Sequence, residues 1–156
     1  MENKKKVLLG MSGGVDSSVS AILLKEAGYD VIGTTLELYG GSCCNISTNL
    51  DAKKVCEKIG IPHFTFNYTE EFKKHVVDDF IDCYSNCKTP NPCIECNRYL
   101  KFGVMYEKAK QLGCEYIATG HYAKTEFDEN YGKIVLKKAK NLAKDQSYVL
   151  YNTPRD

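Results

Sequence analysis

Residues Gly10–Ser18 read Gly-Met-Ser-Gly-Gly-Val-Asp-Ser-Ser, directly after the apolar run Val7-Leu8-Leu9 and directly before a helical pattern. Two adjacent glycines, Gly13 and Gly14, let the backbone approach an anion and adopt φ > 0 where a turn requires it. The amides of Ser12–Val15 face the N-terminus of the next helix, so they form an anion-binding nest reinforced by the helix dipole. The stretch lacks the Gly-Lys-Ser/Thr ending of a Walker loop. Its glycines are adjacent, not spaced as Gly-x-Gly-x-x-Gly. It therefore reads as a strand–cradle–helix unit of a third kind. The plainer alternative is a glycine-rich strand–helix turn with Asp16 as its cap.

Outward from that loop, strand and helix patterns alternate. Lys5–Met11 is a buried β run, and Ser17–Ala27 places Val19, Ile22, Leu23 and Ala27 on one helical face. Asp30–Leu38 is a second strand. A loop containing Cys43 and Cys44 follows, and Asn49 can cap a helix striped by Ala52, Val55, Cys56 and Ile59. His63–Asn67 is a third strand. Phe72, Val76, Val77, Phe80, Ile81 and Tyr84 recur at helical spacing. Lys88–Cys93 is expected to be irregular, because Pro90 and Pro92 bias their predecessors away from the α region. Arg98–Gln111 is helical again, and Tyr116–Thr119 is a fourth strand. Residues 123–138 form a hairpin around Glu129–Gly132, and Lys144–Tyr151 looks like the start of another helix. The alternation predicts an α/β fold, a doubly wound parallel sheet with a β-hairpin near its C-terminus. Ligands of such sheets bind beyond the carboxyl ends of the strands. The cradle, Leu36–Gly41 and Gly120-His121 are expected there.

Composition narrows the class. A chain of 156 residues with 43% hydrophobic and 26% charged residues is read as one soluble domain. No stretch of about 20 apolar residues is present, and the apolar run after Met1–Lys6 is too short for a signal peptide. The expectation is a cytoplasmic protein with no membrane partner. The net charge of +1 carries no global field toward nucleic acid, although lysines 133, 137, 138, 140 and 144 cluster without an acid among them. Eight cysteines without a secretory signal read as reduced thiols, with Cys56 and Cys114 in the core.

The Ser-Gly-Gly-x-Asp-Ser pattern resembles the PP-loop of the ATP pyrophosphatases, which split ATP into AMP and pyrophosphate to adenylate a substrate. Three further segments sharpen the likeness. They are Thr89-Pro-Asn-Pro-Cys-Ile-Glu-Cys-Asn-Arg98 with Leu100-Lys-Phe102, then Ala118-Thr-Gly-His-Tyr-Ala123, then Lys144-Asp-Gln-Ser-Tyr148. In this order the four motifs resemble the MnmA family, the tRNA-specific 2-thiouridylases, from the first strand to about Tyr151.

The resemblance implies an adenine nucleotide alpha hydrolase-like fold and a two-stage reaction on the wobble uridine in the tRNA anticodon loop. ATP with Mg²⁺ adenylates the 2-oxygen, and a protein-bound sulfur then displaces AMP. Gly10, Met11, Ser12, Gly13, Gly14, Val15, Asp16, Ser17, Leu36 and Gly120 take the nucleotide-binding positions. Asp16 is the candidate contact for the metal or its waters, with helix capping as its alternative role. His121 borders the site, in a structural hydrogen bond. Cys96 takes the nucleophile's position, where Arg98, Lys101 and a following helix N-terminus would supply positive potential. Asn91, Pro92 and Cys93 match the loop that meets the target base, and Lys144, Asp145 and Gln146 match a tRNA-contacting segment.

Two departures accompany the likeness. Some members have Asp where this chain has Cys93, so Cys93 and Cys96 could be a redox pair or half of a metal site. An iron–sulfur cluster would need a third cysteine. The family's second catalytic cysteine, which bears the persulfide, lies beyond the last residue here, as do its central and C-terminal domains. The expectation is therefore a PP-loop domain over residues 1–156, truncated at its C-terminus. A cysteine desulfurase or sulfur-relay protein is implied as donor. The alternatives are an inactive fragment that binds ATP or tRNA, another ATP-pyrophosphatase-type synthetase, and a zinc module on Cys93 and Cys96.

Overall fold

The computed structural model describes residues 4–38 and 46–153. Within them the chain runs β1 (Lys6–Gly10), α1 (Val15–Glu26), β2 (Asp30–Glu37), α2 (Ile46–Ile59) and β3 (His63–Asn67). A long helical stretch follows, α3 (Thr69–Phe72), a π turn Lys73–Val77 and α4 (Asp78–Ser85). After a loop come α5 (Pro92–Glu95), a π-helical segment Cys96–Val104 and α6 (Met105–Gln111), then β4 (Tyr116–Ala118). The hairpin strands β5 (Lys124–Asp128) and β6 (Lys133–Lys137) and two 3₁₀ turns, Leu142–Lys144 and Ser147–Val149, close the described chain. Cys43 and Cys44 lie outside the described residues.

Strands β3, β2, β1 and β4 pair in that order, all parallel, and β5 and β6 form a separate antiparallel pair. Because side chains alternate across a strand, each sheet face receives its own core. Val7, Leu9, Met11 and Val31 pack with Ala21 of α1 and with Ala52 and Cys56 of α2. Leu8, Ile32, Leu36 and Leu38 pack with Val76, Leu100, Met105 and Ala109 on the opposite face. The sheet is doubly wound, as the alternation predicts. The order in which strands are added reverses about β1, since β2 lies on one side of it and β4 on the other. That reversal opens a crevice beyond the carboxyl ends of β1 and β4, where open α/β sheets bind ligands.

Several local expectations are corrected. Helix α1 buries Ser17 and Ala21, with Leu24 packed against them, and leaves Val19, Ile22 and Leu23 exposed. The alternative stripe Ser17-Ala21-Leu24 is narrower, which lets α1 lie close over β1. Asn49 is not a cap. It sits inside α2, donating to Glu37 Oε1 at 2.9 Å and accepting from Thr65 Oγ1 at 2.9 Å, so it joins the end of β2 to the middle of β3. The irregular loop ends one residue before Pro92. Pro92 opens α5 at the position where its missing N–H costs nothing, and Asn91 caps it by accepting from Cys93 N at 3.2 Å. The segment from Lys144 does not form a long helix. The backbone at Asp145 (φ −59, ψ 131) is extended and separates two single 3₁₀ turns.

Candidate active site

A cavity of about 310 Å³ opens at the crevice, lined by the cradle residues Gly10, Met11, Ser12, Asp16 and Ser17 and, across from them, by Gly120, His121 and Gln146. Its remaining walls come from Thr34 and Leu36 of β2, from Leu38 just beyond it, from Thr119 and Tyr122, and from Lys101 and Met105 of the helical layer. Gly13 has φ 76°, the left-handed region that a side chain strains. Gly14, at φ −80°, is the N-cap of α1 with no side-chain cap. Asp16 therefore does not cap the helix; it is in the first turn. The amides of that turn have no intrahelical acceptor, and the serine hydroxyls bond the loop backbone before it: Gly14 N donates to Ser12 Oγ and Ser17 Oγ donates to Gly14 O. Ser12 N donates to Ser17 Oγ at 3.3 Å, and the two serine hydroxyls lie 3.2 Å apart.

Asp16 is held from outside the loop. Tyr122 OH donates to Asp16 Oδ1 at 2.5 Å. Tyr122 is itself fixed by Gln146, which accepts from Tyr122 N at 2.9 Å and donates its own N–H to Tyr122 O at 2.8 Å. Lys144 Nζ lies 5.1 Å from the centre of the Tyr122 ring. Thus Lys144–Gln146 and the cradle are joined through one tyrosine, a role that spacing along the chain does not signal. Asp145 is committed internally, accepting from Ala139 N at 2.6 Å and Ser147 Oγ at 2.7 Å, and these bonds hold its carboxyl below the usual range.

Close approach sets Gly120. A Cβ there would sit 3.2 Å from Ser17 N and 3.3 Å from the carbonyl carbon of Asp16. The β4 end and the cradle therefore touch backbone to backbone.

His121 meets Thr119 Oγ1 through Nδ1 at 2.7 Å. Burial, and then the charge of Lys101, push its pKa from 6.5 down to about 4, so the ring is neutral near pH 7. Unfolded, the same ring titrates near 6.5 and binds a proton that the folded ring refuses. Stability should therefore fall as pH drops from about 6.5 toward 4, by an amount on the order of 2 kcal/mol after allowance for partial exposure. Urea titrations at pH 7, 5.5 and 4 check this. His121→Gln should flatten the slope, and an unchanged slope would remove His121 as its source.

Asn91, Pro92, Cys93 and Cys96 do not line the cavity. They lie at the start of the helical run whose Lys101 and Met105 do. Helix α5 also packs on the 3₁₀ turn Ser147–Val149, which directly follows the Lys144–Gln146 segment. Cys96 stands one turn inside the helix, so the helix N-terminus precedes it instead of following it. Of the two expected cations, Lys101 lines the cavity, and Arg98 lies over the Tyr99 ring at 4.9 Å. Asn97, unnoticed in the sequence, is buried and donates Nδ2 to Cys93 O at 2.9 Å. Spacing i, i+4 on a helix was the available signal.

Cys93 is exposed, Cys96 half-buried, and both are thiols rather than disulfides. Cys56 and Cys114 are buried in the core as expected, and burial raises both thiol pKa values. Among the described residues no three His, Cys, Asp or Glu side chains gather as metal ligands.

Residues 5–156 match the family model described as the tRNA methyl transferase HUP domain. The chain belongs to that family. It is 54% identical over 160 residues to the tRNA-specific 2-thiouridylase MnmA of Clostridioides difficile strain 630, covering 97% of this chain and 44% of that protein. It is 51% identical over 161 residues to the protein of the same name from Clostridium acetobutylicum, covering 97% and 45%. The chain thus spans a little under half the length of these relatives. The likeness to the MnmA family read from the four motifs stands. Among solved structures, a glutamine-dependent NAD⁺ synthetase from Acinetobacter baumannii matches with TM-score 0.56 at 14% identity, over 73% of this chain and 21% of that one. An NMN synthetase from Francisella tularensis matches with TM-score 0.51 at 21% identity, over 72% and 44%. Both show the shared α/β fold. No helix among the described residues is long and apolar enough to cross a membrane.

Proposed function

We propose that this chain is the ATP-using portion of a tRNA 2-thiouridylase, and that residues 1–156 supply its nucleotide and target-base sites. The observation that carries the reading is the cavity itself: a self-bonded Ser12–Ser17 cradle at a helix N-terminus, facing an apolar slot of Leu36, Leu38 and Met105. The cradle suits phosphates and the slot a purine. The family description speaks of methyl transfer, but the relatives at 54% and 51% identity carry the 2-thiouridylase name, and the cysteines of the Asn91–Asn97 segment suit sulfur.

In this reading the uridine 2-oxygen attacks the α-phosphorus of ATP, the bond to the bridging oxygen breaks, and pyrophosphate leaves. The amides of Gly13–Ser17 and the hydroxyls of Ser12 and Ser17 stabilise the charge that develops on the leaving group. Asp16 lines the same cavity, with one carboxylate oxygen held by Tyr122. That arrangement fits a Mg²⁺ ion or its waters, which would neutralise phosphate charge. The outer sulfur of a cysteine persulfide then attacks C2, the carbon–oxygen bond breaks and AMP departs; a thiolate next attacks the inner sulfur, freeing the thiouridine and leaving a disulfide that an external thiol reduces. Cys96 is the thiol of this stage, and Asn91, Pro92 and Cys93 meet the base. Lys144, and Gln146 through Tyr122, link the tRNA-facing segment to the cradle. A cysteine desulfurase or relay protein supplies the sulfur, in the cytoplasm.

A second reading for these 156 residues taken alone is that they bind ATP and tRNA without completing the transfer. Titration with Mg·ATP, followed by pyrophosphate release with unmodified tRNA and with small carboxylic acids, tests both. ATP binding with release stimulated by tRNA is the expected result. Binding without release would leave the second reading, and release with acids in place of tRNA would point to a synthetase.

A further inference from the structure

Two buried side-chain polar atoms lack a hydrogen-bond partner among the described residues, Thr34 Oγ1 and Asn97 Oδ1. Asn97 is anchored through its other amide atom and lines no cavity described here. Thr34 is fully buried, with 0% exposure, yet it borders the nucleotide cavity.

Its position is informative. On β2, Ile32, Leu36 and Leu38 serve the core on the face of α3–α6, and alternation puts the Thr34 side chain among them. Valine has nearly the same shape and would satisfy that core without a hydroxyl. Thr34 O is already taken by Met11 N at 2.7 Å, and the neighbouring Thr35, on the other face, bonds Met11 O and His63 Nε2 at 2.9 Å each. Of the two threonine hydroxyls, that of Thr34 is the one left with an uncompensated desolvation cost. Register pairs Thr34 with Gly10, the last strand residue before the cradle. A nucleotide with phosphates on the cradle and base against Leu36, Leu38 and Met105 therefore crosses Thr34. The Ser12, Ser17 and Asp16 groups lie at the phosphate end, and Gln146 is spent on Tyr122. Thr34 is thus placed to meet the part of the ligand between them.

We propose that the Thr34 hydroxyl hydrogen-bonds the nucleoside of bound ATP and is a specificity-determining residue of this site. The inference rests on the ATP reading above. Its test compares the unaltered chain with Thr34→Val and Thr34→Ser in calorimetric titrations with Mg·ATP and with magnesium pyrophosphate, alongside thermal unfolding without ligand. Thr34→Val should weaken ATP binding about tenfold, leave pyrophosphate binding within twofold, and raise the ligand-free unfolding midpoint by a few degrees. Thr34→Ser should stay within threefold of the unaltered chain for ATP. ATP affinity unchanged in Thr34→Val, or an equal loss for pyrophosphate, would overturn the nucleoside contact while leaving the ATP reading in place. Failure of the unaltered chain to bind ATP would overturn the proposed function, and this inference with it.

Discussion

Gly120→Val is expected to reduce Mg·ATP affinity by at least about a hundredfold, equivalent to about 3 kcal/mol. A Cβ at this position already lies 3.2–3.4 Å from Ser17 N, Asp16 C and Ser17 Cα. These atoms are backbone, so they yield only if the first turn of α1 moves as a unit. The two methyls of valine force that movement, and overpacking of this kind costs about 1–3 kcal/mol even where no ligand is involved. Here the displaced turn carries the very amides assigned to phosphate. Gly120→Ala, which needs a shift of only a few tenths of an ångström, should lose about fivefold. Calorimetry gives the affinities, and far-ultraviolet circular dichroism verifies that the sheet is retained. Affinity within threefold in a folded Gly120→Val chain would place the phosphates elsewhere.

Under the proposed function, Cys96→Ser is expected to abolish sulfur transfer, by more than about a thousandfold, while ATP affinity stays within twofold. The first half follows from chemistry. A serine hydroxyl does not ionise near neutral pH and forms no sulfur–sulfur bond, whereas a thiolate does both tasks. The second half follows from geometry, because Cys96 lines no part of the nucleotide cavity. Cys93→Ser, which alters an exposed thiol one turn earlier, should leave a larger residue of activity. Mass spectrometry of tRNA nucleosides measures transfer, and calorimetry measures ATP. A tenth or more of the activity surviving in Cys96→Ser would move the nucleophile's role to another thiol.

Much of this fold was legible from hydrophobic runs and punctuation. The β1 strand, the third strand His63–Asn67 and the hairpin around Glu129–Gly132 fall where alternation and turn residues put them, since each is set by residues adjacent in the chain. The misreadings share a cause. Helix α1 offered two apolar stripes, and only the sheet beneath it selected the smaller one, Ser17-Ala21-Leu24. Asn49 has a cap's chemistry, but Glu37 and Thr65, distant in sequence, claim its amide. The resemblance alone groups Asp145 with Lys144 and Gln146; that its carboxylate accepts from Ala139 N and Ser147 Oγ is visible only in the folded segment.

The cradle at Gly10–Ser18 is the part that the chain determined by itself. Its glycines, its serines and its place between a strand and a helix are local, and a local motif needs only local backbone geometry to take shape. What encloses the cradle was decided by tertiary structure alone. Tyr122 reaches Asp16 across 106 residues, Gly120 lies against the first turn of α1, and Thr34 keeps a buried hydroxyl beside the cavity because β2 runs parallel to β1 in one particular register. Such relations depend on which faces meet when the sheet twists and the helices close over it. They are long-range packing choices, and no window of neighbouring residues contains them.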